Sequence, residues 1–400
     1  MDKELLKMVE ETFLIRKIKD VKEISTGNIN STYLVEAEEG IRYILQKINK
    51  QVFTKPDEVM QNIRRVSRYI EKKVLYEGGD PSREVLHPID TLNGTRFMID
   101  NNGDYWRMYN CIENAKTYDT IDNEDIFYEV GYAFGTFQKR LADYPTENLH
   151  EAIPDFHNTP KRFKDFELAV SADKARRLKA IEEQKDHPLK KAIDYIFECE
   201  EELNLLEVKK ITGELPIRVT HNDTKVNNVM IDNVTGKAIC VIDLDTVGPD
   251  TTLADFGDAI RSGTNKKGES PRKISDAKED LRLFKSYTKG YLDATIVIDE
   301  NGNINEDPKK GLIKNEIELL HKAPRILTLE LAMRFLGDYI NGDEYFKLKK
   351  GQPKNINLKR GLVQLYLAED MKSKENDMKK IIDQIILSKT KNKVKEEIAE

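Results

Sequence analysis

Cysteine is scarce in this 400-residue chain: Cys111, Cys199 and Cys240 are the only three, and they lie far apart. They form no C-x-x-C motif, Cys240 lies in an apolar strand, and free thiols in a reducing cytoplasm are expected. Long apolar runs are missing as well, and none approaches the length that spans a bilayer. Met1-Asp2-Lys3-Glu4 opens an amphipathic segment instead of the apolar core of a signal peptide. Neither sign of charge dominates: 65 Lys and Arg stand against 71 Asp and Glu, a net −6. That balance gives no basis for a nucleic-acid or anionic-membrane partner. The basic run from Lys389 to Lys395 is offset by Glu396, Glu397 and Glu400 and reads as a solvated helix face. The six histidines show no paired metal-ligand spacing, so no structural zinc is expected, and the absence of Gly-x-Ser-x-Gly removes the hydrolase elbow. Gly263 to Ser270 nearly matches a phosphate-binding P-loop, but Glu269 stands where the lysine belongs and no strand leads in. Asp299-Glu300-Asn301-Gly302 begins like a calcium loop, with its glycine two places early.

What is present is an ordinary globular composition, 39% hydrophobic and 34% charged, with length enough for two lobes. The most informative run is Val219-Thr220-His221-Asn222-Asp223-Thr224-Lys225-Val226-Asn227-Asn228-Val229, followed by Val241-Ile242-Asp243-Leu244-Asp245. As chemistry this is H-x-D-x-x-x-x-N and then an apolar strand ending on aspartate, a pairing that protein kinases use for phosphoryl transfer. Asp223 is expected to take or orient the acceptor hydroxyl. Asn228 and Asp243 are expected to hold Mg²⁺ against the phosphates of ATP, since this hard cation takes one or two protein oxygens and the rest from phosphate and water. Asp245, two residues on in extended chain, would face the side of Asp243 and share the metal or orient Asn228. Asp255 reads as a helix cap or a brace for the loop. An Asx-rich turn alone could carry these letters. The context argues otherwise, because Ile217-Arg218-Val219, Val229-Met230-Ile231 and Ala238 to Ile242 read as strands, with a turn at Asn233 to Gly236.

Residues 1–112 read as a small mixed lobe for ATP and 113–400 as a larger, mainly helical lobe for catalysis and substrate. The expected fold class is therefore α+β, bilobal and protein-kinase-like. In the first lobe, Leu5 to Ile15 and Asp57 to about Lys73 have helical spacing, the latter through Val59, Ile63, Val66 and Ile70. Asn93-Gly94 and Asn102-Gly103 read as hairpin turns separating strands near Glu84–Thr91, Thr95–Asp100 and Tyr105–Ile112. In the second lobe, helices are expected over Glu124–Leu141, Leu189–Leu206 and about 275–293, 314–341 and 357–390. The first hairpin has Gly27 alone where a protein kinase has three glycines, but Asn28, Asn30, Ser31 and Thr32 are short polar residues able to bond phosphate or substrate. On the next strand Lys47 is the candidate cation for the ATP phosphates. Alternation puts Gln46 on the opposite face, and Gln46 would take that place if the Ile44 face covers the base.

These stretches, with Leu253-Ala254-Asp255-Phe256-Gly257-Asp258, resemble the aminoglycoside phosphotransferase and choline kinase superfamily, small-molecule kinases with a protein-kinase-like fold. The paired asparagines and the Ile242-Asp243-Leu244-Asp245-Thr246 run are most similar to N-acetylhexosamine 1-kinases. So are Gly27 to Tyr33, and Arg334 to Tyr339 through Gly342 to Phe346. The resemblance implies ATP and Mg²⁺ as cofactors, an amino sugar as small-molecule partner and a sugar 1-phosphate as product. Many relatives carry His where this chain has Asn28, a position bordering the substrate. Arg334 and Tyr345 match the stretch that touches the sugar. Without the resemblance, Arg334 reads as a helix-surface partner of Glu330 or Asp338 and Tyr345 as a core aromatic. An anomeric hydroxyl is more acidic than an ordinary alcohol, so Asp223 would mainly orient it. Two alternatives stand: a kinase of an aminoglycoside, choline or other amino alcohol, which needs an acidic pocket, and an inactive binding module, against which the complete Asp223, Asn228 and Asp243 set argues.

Overall fold

The computed structural model describes residues 1–24, 29–269 and 271–399, with side chains as far as 391. Gly27 and Asn28 lie outside the described residues. Two units are present. The first joins Met1–Thr117, Tyr144–Pro154 and Asn228–Pro249, and the second joins Tyr118–Asp143, Asp155–Asn227 and Asp250–Glu400.

In the first unit, helix α1 (Lys3–Phe13) opens with the Asp2 carboxylate capping the Leu5 amide. An antiparallel sheet runs β1 (Ile18–Ile24), β2 (Ser31–Ala37), β3 (Arg42–Lys47), β5 (Tyr105–Asn110), β4 (Met98–Ile99). Its α1 side is apolar, where Val9 and Phe13 cluster with Val35, Leu45, Trp106 and Met108. Helix α2 (Pro56–Tyr76) starts on a proline and buries Val59, Ile63, Val66 and Ile70, the stripe its periodicity shows. Gly103 takes a left-handed φ of 75° in the turn before β5. Glu84–Thr91 is not the strand its sequence suggests. After the single turn α3 (Pro81–Glu84) it makes only an isolated bridge, Pro88 to Tyr109, and Pro88 has no N–H to extend it. A second sheet orders β6 (Ala115–Lys116), β8 (Val229–Asp232) and β9 (Ala238–Val241).

The second unit is mainly helical and holds the short strand β7 (Arg218–Thr220). Its helices are α4 (Glu124–Arg140), α5 (Thr159–Ala172), α6 (Pro188–Glu198), α7 (Glu200–Ile211), α8 (Thr252–Gly263), α9 (Leu281–Thr295), α10 (Lys314–Leu319), α11 (Ala323–Asn341) and α12 (Ile356–Ala399). Two stretches expected as single helices are each split. Cys199 leaves helical geometry between α6 and α7, and Pro324 in the first turn of α11 cannot continue a helix from α10. Phe163, Phe166, Ile193, Ile196, Leu203, Leu329, Met333 and Leu365 form a core from α5, α6, α7, α11 and α12. Helices α4 and α9 pack through glycines. A Cβ on Gly131 would sit 2.2 Å from the Tyr287 carbonyl oxygen, and one on Gly290 2.1 Å from that of Tyr128, so no larger residue fits either place. The architecture is α+β, a sheet-rich N-terminal region with a helical remainder, as expected. Among the described residues no helix is long and apolar enough to cross a membrane.

Candidate active site

The candidate catalytic residue Asp223 belongs to the second unit, and its loop starts from an anchored strand. Buried Arg218 on β7 donates to both carboxylate oxygens of Glu316, at 2.8 and 2.6 Å, and to the Gly311 carbonyl at 2.7 Å. Such a fork fixes direction as well as distance. The chain then turns at Asn222, whose φ of 63° is left-handed, a conformation Asn tolerates better than most residues. Asp255 in the first turn of α8 braces this turn. Its carboxylate accepts from the amides of His221 (2.8 Å) and Asn222 (2.7 Å) and from the Gln138 amide group (2.6 Å). The Thr224 hydroxyl donates to the Asp255 carbonyl at 2.6 Å. Buried His221 lies edge-on to Phe134 and Phe137, and its Nδ1 accepts from the Asp223 amide at 3.3 Å, a structural role. The Asp223 carboxylate is partly exposed and meets the Lys225 ammonium at 2.7 Å.

On the other side of the turn stands His157, which the sequence reading passed over. Its Nε2 is 3.2 Å from the Asn222 carbonyl oxygen and its Nδ1 3.0 Å from Glu330, which also accepts from Thr159 at 2.7 Å. Burial alone would lower the pKa of His157, but the Glu330 carboxylate raises it to about 9. Burial opposes the charge of Glu330 too, yet His157 holds it below the usual carboxylate range. The only signal in the sequence was a lone histidine before the Asn158-Thr159-Pro160 helix start.

A row of charges continues from α8. Arg261 donates to Asp258 at 3.0 and 2.8 Å and lies 3.4 Å from Glu269, which also takes Arg360 at 2.6 Å. The Arg360 guanidinium sits over Phe335 (3.9 Å) and Phe346 (5.4 Å). Arg334 in turn lies 5.3, 5.7 and 5.8 Å from the rings of Phe156, Tyr345 and Phe346. Arg334 and Tyr345 are thus together, their nearest polar atoms 3.4 Å apart. Tyr345 is 59% exposed and so no core aromatic. The helix-surface partners considered for Arg334 are committed elsewhere: Glu330 to His157, and Asp338 to the amides of Tyr345 and Phe346 at 2.8 and 2.9 Å. Among the described residues Arg334 makes no ion pair.

The metal and nucleotide candidates belong to the first unit. Val229 pairs with Val241, so Asn228 and Asp243 leave the same end of the β8–β9 hairpin, joined by an Ile242 amide that donates to the Asn228 carbonyl at 2.9 Å. Asp243 takes a left-handed φ of 61°. One amide oxygen and one carboxylate suit Mg²⁺ shared with phosphates. Among the described residues no cluster of three His, Cys, Asp or Glu offers a cage made by protein alone. Asp245 is occupied differently. One of its oxygens lies 2.5 Å from buried Arg107, a close charge contact, and the other accepts from Asn30 at 2.6 Å. A metal at Asp245 would compete with both. Arg107 donates to Gln46 at 3.0 and 2.8 Å, and Gln46 donates to the Thr32 hydroxyl at 3.1 Å. Burial works against the charge of Arg107, and Asp245 more than restores it, raising its pKa. Lys47 is on the other face, paired with Asp104 and 6.0 Å from the Trp106 ring. The structure therefore gathers Asn30, Thr32, Gln46, Arg107 and Asp245, and it leaves Lys47 outside that group. Ser31 is exposed at the start of β2.

Residues 20–282 match the model of a phosphotransferase enzyme family. Solved structures share the fold at low identity. An amicoumacin kinase in complex with AMP-PNP and Ca²⁺ is 13% identical, covering 91% of this chain and 93% of its own, with a TM-score of 0.56. A microcompartment-associated aminopropanol kinase is 14% identical, covering 94% and 99%, with a TM-score of 0.60. An aminoglycoside phosphotransferase from Alicyclobacillus acidocaldarius is 11% identical, covering 96% and 97%, with a TM-score of 0.56. The family match takes in well over half of the sequence and includes Asp223, Asn228 and Asp243, so the chain belongs to the phosphotransferase enzyme family.

Proposed function

We propose that the protein transfers the γ-phosphoryl group of ATP to the anomeric C1 hydroxyl of an N-acetylhexosamine. The hydroxyl oxygen bonds to the γ-phosphorus, the bond to the β,γ-bridging oxygen breaks, ADP leaves, and the hydroxyl proton passes to Asp223 and on to solvent. Asp223 is the catalytic residue in this reading, its carboxylate directed by Lys225 and its backbone by His221, Asn222 and Asp255. When bound, Mg²⁺ neutralises phosphate charge, and Asn228 and Asp243 are the residues that would hold it. Asn30, Thr32 and Gln46 are assigned to the nucleotide side ahead of Lys47, which shares no face with them.

The acceptor assignment is carried by one observation: four carboxylates around Asp223 in its own unit already have cationic or N–H partners from the chain. Asp258 is held by Arg261, Glu269 by Arg261 and Arg360, Glu330 by His157, and Asp255 by amides. A cleft of about 160 Å³ beside Lys225 offers the amides of Asn227, Asn265 and Gln364 and the Ser262 hydroxyl. Its carboxylates are Glu269, paired with Arg261 and Arg360, and the exposed Asp119. The aromatic cage that an ammonium would enter is filled by Arg334. A neutral, hydroxyl-rich acceptor suits this lining better than an amino alcohol, and the resemblance of the Arg334–Phe346 stretch narrows it to an N-acetylhexosamine. The test is ATP consumption over a panel of free sugars, choline and aminoglycosides. N-acetylglucosamine or N-acetylgalactosamine should drive turnover. Consumption with choline or an aminoglycoside alone would overturn the reading.

A further inference from the structure

The buried imidazole of His157 stands between two acceptors. Glu330 Oε1 is 3.0 Å from Nδ1, and the Asn222 carbonyl oxygen is 3.2 Å from Nε2. A neutral imidazole carries a single N–H and can serve only one of them, so both bonds together require the doubly protonated ring. The ion pair is shut away from solvent, the side chains of His157 and Glu330 being 7% and 2% exposed. The Asn222 carbonyl belongs to the peptide that enters Asp223. The amide of Asn222 is already tied to Asp255 at 2.7 Å, so His157 completes a grip on both ends of the one left-handed residue in the turn.

We propose that His157, as an imidazolium paired with Glu330, is a positioning residue that directs Asp223 through the Asn222–Asp223 peptide. The inference rests on Asp223 as the catalytic residue. It reaches beyond that reading by giving the loop a charged strut from the α4–α5 connection and from α11. The charges facing the ring agree: Glu330 on α11, Asp258 on α8 and Asp250 just before α8, with Lys210 beside Asp250. Arg334 and Arg162 are within electrostatic reach of Glu330. Three carboxylates around one imidazole outweigh its burial. The strut is therefore present at neutral pH and is lost as pH rises through about 9, when the ring gives up its second proton.

The direct test is ¹⁵N NMR of the wild-type protein labelled at the histidine ring nitrogens. A His157 ring protonated at both nitrogens at neutral pH, titrating near 9, is expected. A neutral His157 at neutral pH overturns the proposal. The kinetic test uses His157→Gln and the double variant His157→Gln with Glu330→Gln, which removes both charges together and guards against a fold lost to an unpaired Glu330. In both, kcat should fall roughly 10- to 100-fold while KM for ATP stays within about two-fold, because orientation of Asp223 is lost and nucleotide binding is not. The wild type should lose kcat above about pH 9, and the variants should lack that limb. Wild-type kcat in a folded double variant overturns the proposal, and if neither variant folds the NMR result decides. Asp223→Asn in the same assay separates the two readings: an active Asp223→Asn sinks the catalytic-loop assignment, whereas an inactive one beside a fully active double variant sinks only the strut.

Discussion

Arg107 and Asp245 meet at 2.5 Å with side chains 1% and 5% exposed, a charge pair closed off inside the first unit. Pairs of this kind add little net stability over an apolar pair, but removing one partner strands the other. Arg107→Met should therefore destabilise the protein by about 3–5 kcal/mol, read as a lower urea midpoint. The double variant Arg107→Met with Asp245→Leu should recover part of that loss. An Arg107→Met protein with the wild-type midpoint would contradict the pairing.

Asp223 and Asp243 are assigned different work, so their variants should differ in kind. Asp223→Asn should bind ATP as the wild type does while turnover falls roughly 10²- to 10⁴-fold, the range of a lost general base or orienting group. Asp243→Ala should shift the Mg²⁺ concentration needed for half-maximal rate upward and lower turnover with it. Calorimetric ATP binding and Mg²⁺ titrations of the rate decide both. Unchanged Mg²⁺ dependence in Asp243→Ala would move the metal elsewhere.

Arg334→Ala tests the acceptor side. The guanidinium has aromatic faces beneath it, donates one N–H to the Tyr345 hydroxyl and makes no ion pair among the described residues, which leaves other N–H groups for a substrate oxygen. Loss of a charged hydrogen bond is worth about 1.5–3 kcal/mol, so KM for the sugar should rise roughly 10- to 100-fold while KM for ATP holds. An equal rise in both would assign Arg334 to the fold.

The candidate catalytic and metal-binding residues stand out in the sequence because their motif is local. His221, Asp223, Asn228 and Asp243 fall within one short span, bounded by strands whose pattern is plain. The helices of the first unit were legible too, since α2 carries an unbroken apolar stripe. What escaped depends on chain segments that meet only through folding. Arg107 and Gln46 sit on neighbouring strands, yet their importance comes from Asp245, 138 residues beyond Arg107. Charge alone favoured Lys47, but alternation turned it toward Asp104 and Trp106. His157 lies 173 residues from Glu330, and a single histidine in a loop carries no period to reveal it. The breaks at Cys199 and before Pro324 were hidden by apolar spacing that continues across them.

Glu279 gives a pH prediction. The Thr264 hydroxyl has one proton and lies against two acceptors, the Ile260 carbonyl at 2.6 Å and the Glu279 carboxyl. A protonated Glu279 donating to Thr264 leaves the hydroxyl proton for the Ile260 carbonyl. Burial in turn pushes its pKa up to about 8. A carboxyl raised in the folded state contributes stability that is fully present below its unfolded value and is lost as pH rises through the folded one. The melting temperature of the wild type should therefore fall relative to Glu279→Gln between about pH 4.5 and pH 8, since glutamine keeps the neutral form throughout. Parallel melting curves across that window would contradict a protonated Glu279.

The most direct measurement of the central claim is the position of the new phosphate bond. The protein, Mg²⁺ and ATP are incubated with N-acetylglucosamine or N-acetylgalactosamine, and the product is read by ³¹P–¹H correlation NMR beside a reaction with the methyl glycoside of the same sugar. The account predicts phosphorus coupled to the anomeric proton and no product from the methyl glycoside. Phosphorylation of the methyl glycoside, or phosphorus coupled to any other ring position, would contradict it.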